Sequence, residues 1–322
     1  YMPTYLYLLA PFTYLPIPGL YAIKLISTAA DIVLAVFVMK TVNLKYPDEA
    51  YGLTAYAMIL LLPSVFLNSA VWGQCDAIFT SALIACVYYL MQGDDRKSVL
   101  AFSIAFIFKL QAVFLAPFLL LMLLKRKIRP VNLLILPVVY ILSIIPAVIM
   151  GRNFFSLLTV YFSLAGQYKM IAMFLPNLYT WLPEDTPGYI GKAAVLLAGA
   201  LVLVTLYYFC RRRFRITPEI YIVLALFYAL FLPYILPHMH ERYNYLADIL
   251  SVIYAFYFPK KYYIPVVTVL ASTYAVCHNL FNTDFFSVQL LAVIMLGILI
   301  LVFKHTAELV DAASLRKAQA RI

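Results

Sequence analysis

Residues 98–123 read SVLAFSIAFIFKLQAVFLAPFLLLML. The stretch is longer than the about 20 residues a helix needs to cross a bilayer core. Yet Lys109 and Gln111 stand at its middle. A charge at the centre of a straight span costs about 2.5–3.5 kcal/mol on insertion scales. At the apex of a broken helix that lines a polar cavity the same charge is tolerated. The stretch therefore reads as a hairpin of two short helices that turns at Lys109. The basic residues argue the same way. A single crossing would strand Lys40, Lys45, Arg96 and Lys97 on the side opposite the later basic clusters, whereas a hairpin returns all four to it.

Similar apolar blocks recur along the chain. Spans are predicted at 19–40, 53–71, 77–92, 131–150, 189–209, 218–236, 243–258, 264–280 and 285–303. With the two limbs of the hairpin this makes about eleven membrane segments, two of them short. Of the residues, 65% are hydrophobic and 12% charged, against about half and a quarter in soluble domains. A β-barrel is excluded, because its strands alternate polar and apolar residues and these runs are continuous. The fold class is all-α, a polytopic transmembrane helical bundle forming a single integral membrane domain over residues 1–322.

The net charge of +10 is explained by orientation rather than by nucleic acid. Lys125–Lys127 with Arg129, Arg211–Arg213 with Arg215, Lys260–Lys261, and Lys304, Arg316, Lys317 and Arg321 fall on one side if each span from 131 onward crosses once. That side is cytoplasmic by the positive-inside rule. Tyr1 is then outside, and residues 304–322 form a cytoplasmic tail ending at Ile322. The first residues carry no basic region of a signal peptide, and the chain is expected to continue upstream of Tyr1. Cys75, Cys86, Cys210 and Cys277 are scattered, which indicates neither a disulfide framework nor a metal site.

The longest link, 151–188, is expected to be an external loop with interfacial helices. Its aromatics are Phe154, Phe155, Tyr161, Phe162, Tyr168, Phe174, Tyr179 and Trp181. An aromatic belt at the membrane surface and a substrate role explain them equally well. Asp31, near mid-span, is expected to face the bundle and have a partner. Lys24 lies nearer the outer interface and is expected to snorkel. Asp284 and Glu184–Asp185 read as solvated acids.

Three motifs carry chemistry. Asn68-Ser69-Ala70-Val71-Trp72-Gly73-Gln74-Cys75-Asp76 joins two spans on the outer face. Asp76 as a helix N-cap with Trp72 as an interfacial anchor accounts for it. So does a sugar site, with Gln74 and Asp76 bonding hydroxyls and Trp72 stacking on the ring. Lys109 with Gln111 is the second, a cation beside a helix end that suits a phosphate. The third is Pro237-His238-Met239-His240-Glu241-Arg242-Tyr243. Arg242 offers a planar fork for phosphate oxygens, His238 and His240 add donors, and Glu241 holds Arg242 or a histidine in place. A plain Glu241–Arg242 surface pair is the simpler explanation. The two histidines lack the spacing of a zinc motif, so neither metal nor cofactor is expected. With 98–123 as a hairpin, the three motifs are expected to open onto one exterior pocket.

Trp72-Gly73-Gln74-Cys75-Asp76, then Phe108-Lys109-Leu110-Gln111 with Pro117, then His238-Met239-His240-Glu241-Arg242-Tyr243, resemble the bacterial relatives of the GPI-anchor mannosyltransferase II family. That family lies in the GT-C superfamily of multi-spanning glycosyltransferases, and the resemblance covers about residues 1–260. It implies inverting transfer of a sugar, typically mannose, from a polyprenyl-phosphate donor to a lipid-linked or cell-envelope acceptor. The implied site lies on the extracytoplasmic face of the plasma membrane. Lys109, Gln111, His238, His240 and Arg242 are then the lipid-phosphate set, and Trp72, Gln74, Glu241 and Tyr243 hold the sugar or support the site. The family's general base is an acid in the first external loop, which the resemblance places upstream of Tyr1; Asp76 is the candidate within the chain. No glycine-rich phosphate loop points to a nucleotide-sugar donor. A multi-spanning transporter or lipid flippase is the alternative, against which no internal repeat is evident.

Overall fold

The computed structural model describes residues 2–165, 170–183 and 185–319. Tyr1, Tyr168, Glu184, Arg321 and Ile322, named above, lie outside the described residues. Among the described residues the protein is helical apart from two two-residue strands, Ala172–Met173 and Met239–His240. Among the described residues six helices are long and apolar enough to cross a membrane: Gly19–Asn43, Pro130–Ile149, Gly188–Arg211, Pro218–Ile235, Pro259–Phe281 and Val288–Ser314. The chain is an all-α polytopic membrane protein.

The elements depart locally from the expected segments. The predicted span 53–71 is two helical pieces, Glu49–Leu60 and Pro63–Val71, bent by 46° at the break. Pro63 explains the break, because its ring removes a backbone donor and drives the preceding residue out of the helical region. Leu62 accordingly sits at φ −66° and ψ 127°. Counting that pair as one, spanning helices reach seven. Segment 77–92 folds as Asp76–Met91, and 243–258 as the shorter helix Tyr245–Tyr257. The break expected in 98–123 falls at Lys109. The helix Asp95–Phe108 ends there, Lys109 is extended (φ −153°, ψ 136°), and a 3₁₀ turn Leu110–Leu115 leads into the helix Ala116–Leu124. Finally, one helix, Val288–Gln319, runs on through most of 304–322.

The chain forms two compact units, residues 1–113 with 127–168, and residues 114–126 with 169–322. In the first, Gly19–Asn43 packs on Glu49–Leu60 and Asp76–Met91, which in turn packs on Asp95–Phe108. Leu34, Val38, Leu83 and Ile84 are fully buried there. Tyr161 packs against this unit: its hydroxyl bonds the Phe106 carbonyl and its ring lies on Phe106 and Tyr140. Phe155, Phe162 and, in the second unit, Trp181 stay exposed.

A polar clasp closes one end of the first unit. Asp95 accepts from the Arg129 backbone at 2.8 Å, from Arg129 Nη2 at 2.8 Å and from Asn132 Nδ2 at 2.8 Å. The Arg129 guanidinium bonded to it holds the Asp95 carboxyl down at about 2. A carboxyl depressed in the folded state stabilises the fold above its unfolded pKa of about 3.9, and that contribution is lost as pH falls toward the folded value. The thermal unfolding temperature of the solubilised protein should therefore drop as pH is lowered from about 4 to about 2. An Asp95→Asn variant should show a flatter fall over that window; an identical slope would rule the clasp out.

In the second unit Pro218–Ile235 is the central helix, with 83% of its apolar window buried, against 22% for Gly188–Arg211. It packs on Tyr245–Tyr257 and on the helix Val288–Gln319. Gly188–Arg211 thus presents most of its surface to lipid.

Candidate functional site

The first cluster is built on an irregular turn. After Pro63–Phe66 the chain winds into a π-helical turn, Leu67–Val71. Such turns are rare and concentrate at functional sites. The loop then closes on itself: Trp72 N–H bonds Leu67 O at 2.9 Å, Gly73 N–H bonds Ser69 O at 3.0 Å and Gln74 N–H bonds Asn68 O at 2.8 Å. Gly73 takes φ +78°, a conformation costly to residues with a Cβ. The effect is to place Asn68 and Ser69, both buried, beside the start of Asp76–Met91.

Asp76 is not an N-cap. Cys75 holds that position without a side-chain bond, and the Asp76 carboxylate turns inward. Only 2% of its side chain is exposed. Oδ2 accepts from Asn68 Nδ2 at 2.8 Å, and Oδ1 is paired with the Lys109 ammonium. Lys109 reaches it from the point where Asp95–Phe108 breaks, with its ammonium over the Phe79 ring. Asp31 does face inward as expected, and its partner is the Ser69 hydroxyl, which also donates to Val65 O at 3.0 Å. The result is a buried chain of polar groups linking Asp31 and Ser69, then Asn68, Asp76 and Lys109. Gln74 Oε1, Gln111 Oε1 and Asn68 Oδ1 are buried and accept no hydrogen bond.

The second cluster lies where Pro218–Ile235 ends. Residues 170–180 clamp that end: Asn177 Nδ2 donates to Leu236 O at 3.1 Å, Tyr179 Oη donates to Ile235 O at 3.0 Å, and Leu178 N–H bonds Tyr234 O at 3.1 Å. The strands Ala172–Met173 and Met239–His240 pair in parallel alongside. His238 adopts φ +62°, strained for a residue with a Cβ. Its backbone N–H bonds Ile171 O at 2.8 Å and its Nδ1 lies 2.7 Å from Met170 O. A Cβ on Gly191 would meet His238 Nε2 at 2.9 Å, so the ring is boxed in by a glycine.

His240, Glu241, Arg242 and Tyr243 do come together. Arg242 Nη1 donates to Glu241 Oε1 at 2.7 Å, and His240 Nδ1 is 3.8 Å from Glu241 Oε2. Tyr243 lies edge-on to His240 at 5.1 Å. This is no surface pair: side-chain exposure is 3% for Glu241 and 13% for Arg242. Burial pushes the Glu241 carboxyl up, and the His240 and Arg242 groups push it down further, so it sits below the ordinary carboxylate range.

Of the predicted residues, Trp72, Gln74, Asp76, Lys109 and Gln111 belong to the first unit, and His238, His240, Glu241, Arg242 and Tyr243 to the second. Asn68 stands in the first motif without a role of its own and Asn177 in none of the three; both organise their clusters. Asp248, outside the three motifs, is buried in the first turn of Tyr245–Tyr257; an acid inside an apolar span is the signal that marks it. Among the described residues, no group of three His, Cys, Asp or Glu side chains is placed to hold a metal.

Residues 1–233 match the family model of Glycosyltransferase family 87. No curated protein and no solved structure matches the chain. The match takes in the whole Asp76–Lys109 cluster and is consistent with a glycosyltransferase of GT-C type. It favours sugar transfer over the transporter alternative. The chain belongs to glycosyltransferase family 87 and is a polytopic membrane glycosyltransferase.

Proposed function

We propose that the protein moves a sugar, mannose, from a polyprenyl-phosphate donor to a lipid-linked or cell-envelope acceptor on the extracytoplasmic face of the plasma membrane. The observation that carries this reading is the set of buried amide oxygens on Asn68, Gln74 and Gln111 that accept no bond. A buried polar atom without a partner costs about 1–3 kcal/mol. A sugar presents several hydroxyl donors and offsets that cost on binding. Trp72, in the same loop as Gln74, supplies a ring face.

In this reading the acceptor hydroxyl attacks the anomeric carbon of the sugar. The bond from that carbon to the phosphate oxygen breaks, and the polyprenyl phosphate leaves with the electron pair. Asp76 takes the hydroxyl proton, and Lys109 offsets the carboxylate charge until it does. Within the second unit, Glu241 holds Arg242 in place, Tyr243 backs His240, and the guanidinium's planar donors suit a phosphate. His238 shapes that corner through its strained backbone and its contact with Met170. Lys109 and Gln111 sit at the break between two short helices.

The test uses the full-length protein in membranes with radiolabelled polyprenyl-phosphate mannose and membrane acceptors. Labelled lipid-linked product is expected from the parent. A Gln74→Ala, Gln111→Ala pair is expected to lower transfer by about 10–100-fold, in keeping with the loss of two hydrogen bonds to a substrate. Movement of the labelled lipid across the bilayer with no glycoside formed would defeat the reading.

A further inference from the structure

The geometry points to a binding site for an anionic phospholipid headgroup at the Arg211 end of the helix Gly188–Arg211, independent of the reaction above. Val204, Tyr207, Tyr208, Arg211 and Arg212 line a surface groove of about 510 Å³. The spacing makes it: Tyr207 and Arg211, and Tyr208 and Arg212, are four apart, so each pair stacks along the same face of the helix. The Arg212 guanidinium lies 3.6 Å from the Tyr208 ring centre and that of Arg211 5.7 Å from the Tyr207 ring. Arginines held over aromatic faces keep their planar donors presented edge-on to an oxyanion.

The charge around the groove is set for an anion. A helix C-terminus is ordinarily electronegative, but here Lys125 Nζ donates to Cys210 O at 3.2 Å and Arg212 O at 2.5 Å. Those two carbonyls are answered by a cation. Arg213 and Arg215 follow, both exposed. The acid that contacts the arginine pair among the described residues is Asp311, 3.1 Å from Arg212 Nε. It occupies one edge of Arg212 and leaves Arg211 with no ion pair among the described residues. Below the arginines, Tyr207 is 66% and Val204 62% exposed on a helix that buries only 22% of its apolar window. A phosphate at the arginines therefore has an apolar, lipid-facing track directly beneath it for acyl chains. That continuity is what a lipid offers and a free phosphate lacks. Aromatics and basic residues at the end of a span are where headgroups lie.

The experiment compares purified protein in neutral detergent with added phosphatidylglycerol, phosphatidylcholine or inorganic phosphate. Bound lipid is counted by native mass spectrometry, and thermal shift is read in parallel. Phosphatidylglycerol is expected to be retained in preference to phosphatidylcholine. Arg211→Ala should weaken that retention about fivefold, the worth of one basic residue near a headgroup, with the lipid-free melting temperature unchanged. Tyr207→Ala, also exposed, should weaken it independently. Equal retention of the two lipids, an unchanged Arg211→Ala variant, or stabilisation by inorganic phosphate as large as by lipid would each overturn the site.

Discussion

Replacing Lys109 with methionine is expected to destabilise the protein by about 3–5 kcal/mol, the usual result of stripping one partner from a buried ion pair. The size follows from what is left behind. Asp76 loses the ammonium paired with it while only 2% of its side chain is exposed, and the bond from Asn68 at 2.8 Å brings no charge to offset the carboxylate's. The double variant Asp76→Asn, Lys109→Met is expected to recover most of the loss, because the asparagine keeps an oxygen for Asn68 and no charge remains. Transfer should stay abolished in both. Detergent-solubilised unfolding and the radiolabelled assay separate the two effects. A single variant as stable as the parent would mean the pair does not form in the membrane. A double variant that still transfers sugar would remove both residues from the proposed chemistry.

Arg242→Ala carries the second large effect, again about 3–5 kcal/mol, because Glu241 is just as deeply buried and loses its 2.7 Å donor. Arg242→Lys distinguishes the two roles of the guanidinium. It restores the charge and much of the stability, but a point-like ammonium lacks the planar fork for a phosphate. Its transfer rate is expected to remain about 100-fold down, the scale of losing one donor to developing negative charge. The pH response should change too. In the parent the depressed Glu241 carboxyl adds stability that is present above about pH 4.3 and lost as pH falls through the folded value. Without Arg242, one of the groups holding that carboxyl down is gone, and the contribution should shrink. An Arg242→Lys variant with full activity would sink the phosphate role.

The helical fold was readable because its cause is local: a run of apolar residues satisfies its own backbone only as a helix in lipid. The break at Lys109 was readable for a related reason, since a charge in mid-span has few places to go. Pro63 stood in plain view inside 53–71, yet the apolar run around it hid the bend it imposes. The Lys109–Asp76 pair was not readable. Both residues were candidates, but for separate jobs, and no local pattern says that a lysine at one break meets a carboxylate at the start of an earlier helix. The same holds for the 170–180 clamp on Leu236 and Ile235, which joins distant segments through backbone carbonyls and so leaves no side-chain signature there. Asn177 and Tyr179 looked like loop composition. Glu241 with Arg242 was expected as a pair, but sequence adjacency says nothing of burial, and burial is what turns a weak contact into a costly one to break.

The polar chain from Asp31 to Lys109 also bears on how the polypeptide is made. Synthesis starts at the N-terminus, so the carboxylate at the head of Asp76–Met91 leaves the ribosome before the lysine that neutralises it. The lysine arrives to find its counterion already delivered, which lowers the cost of lodging a cation among lipids. Asp31 has the opposite history, since Ser69 emerges after it. The helix Gly19–Asn43 must therefore wait, with an acid at its middle, for a later turn to shelter it. Biogenesis is most exposed to failure, or to proteolytic quality control, during that interval.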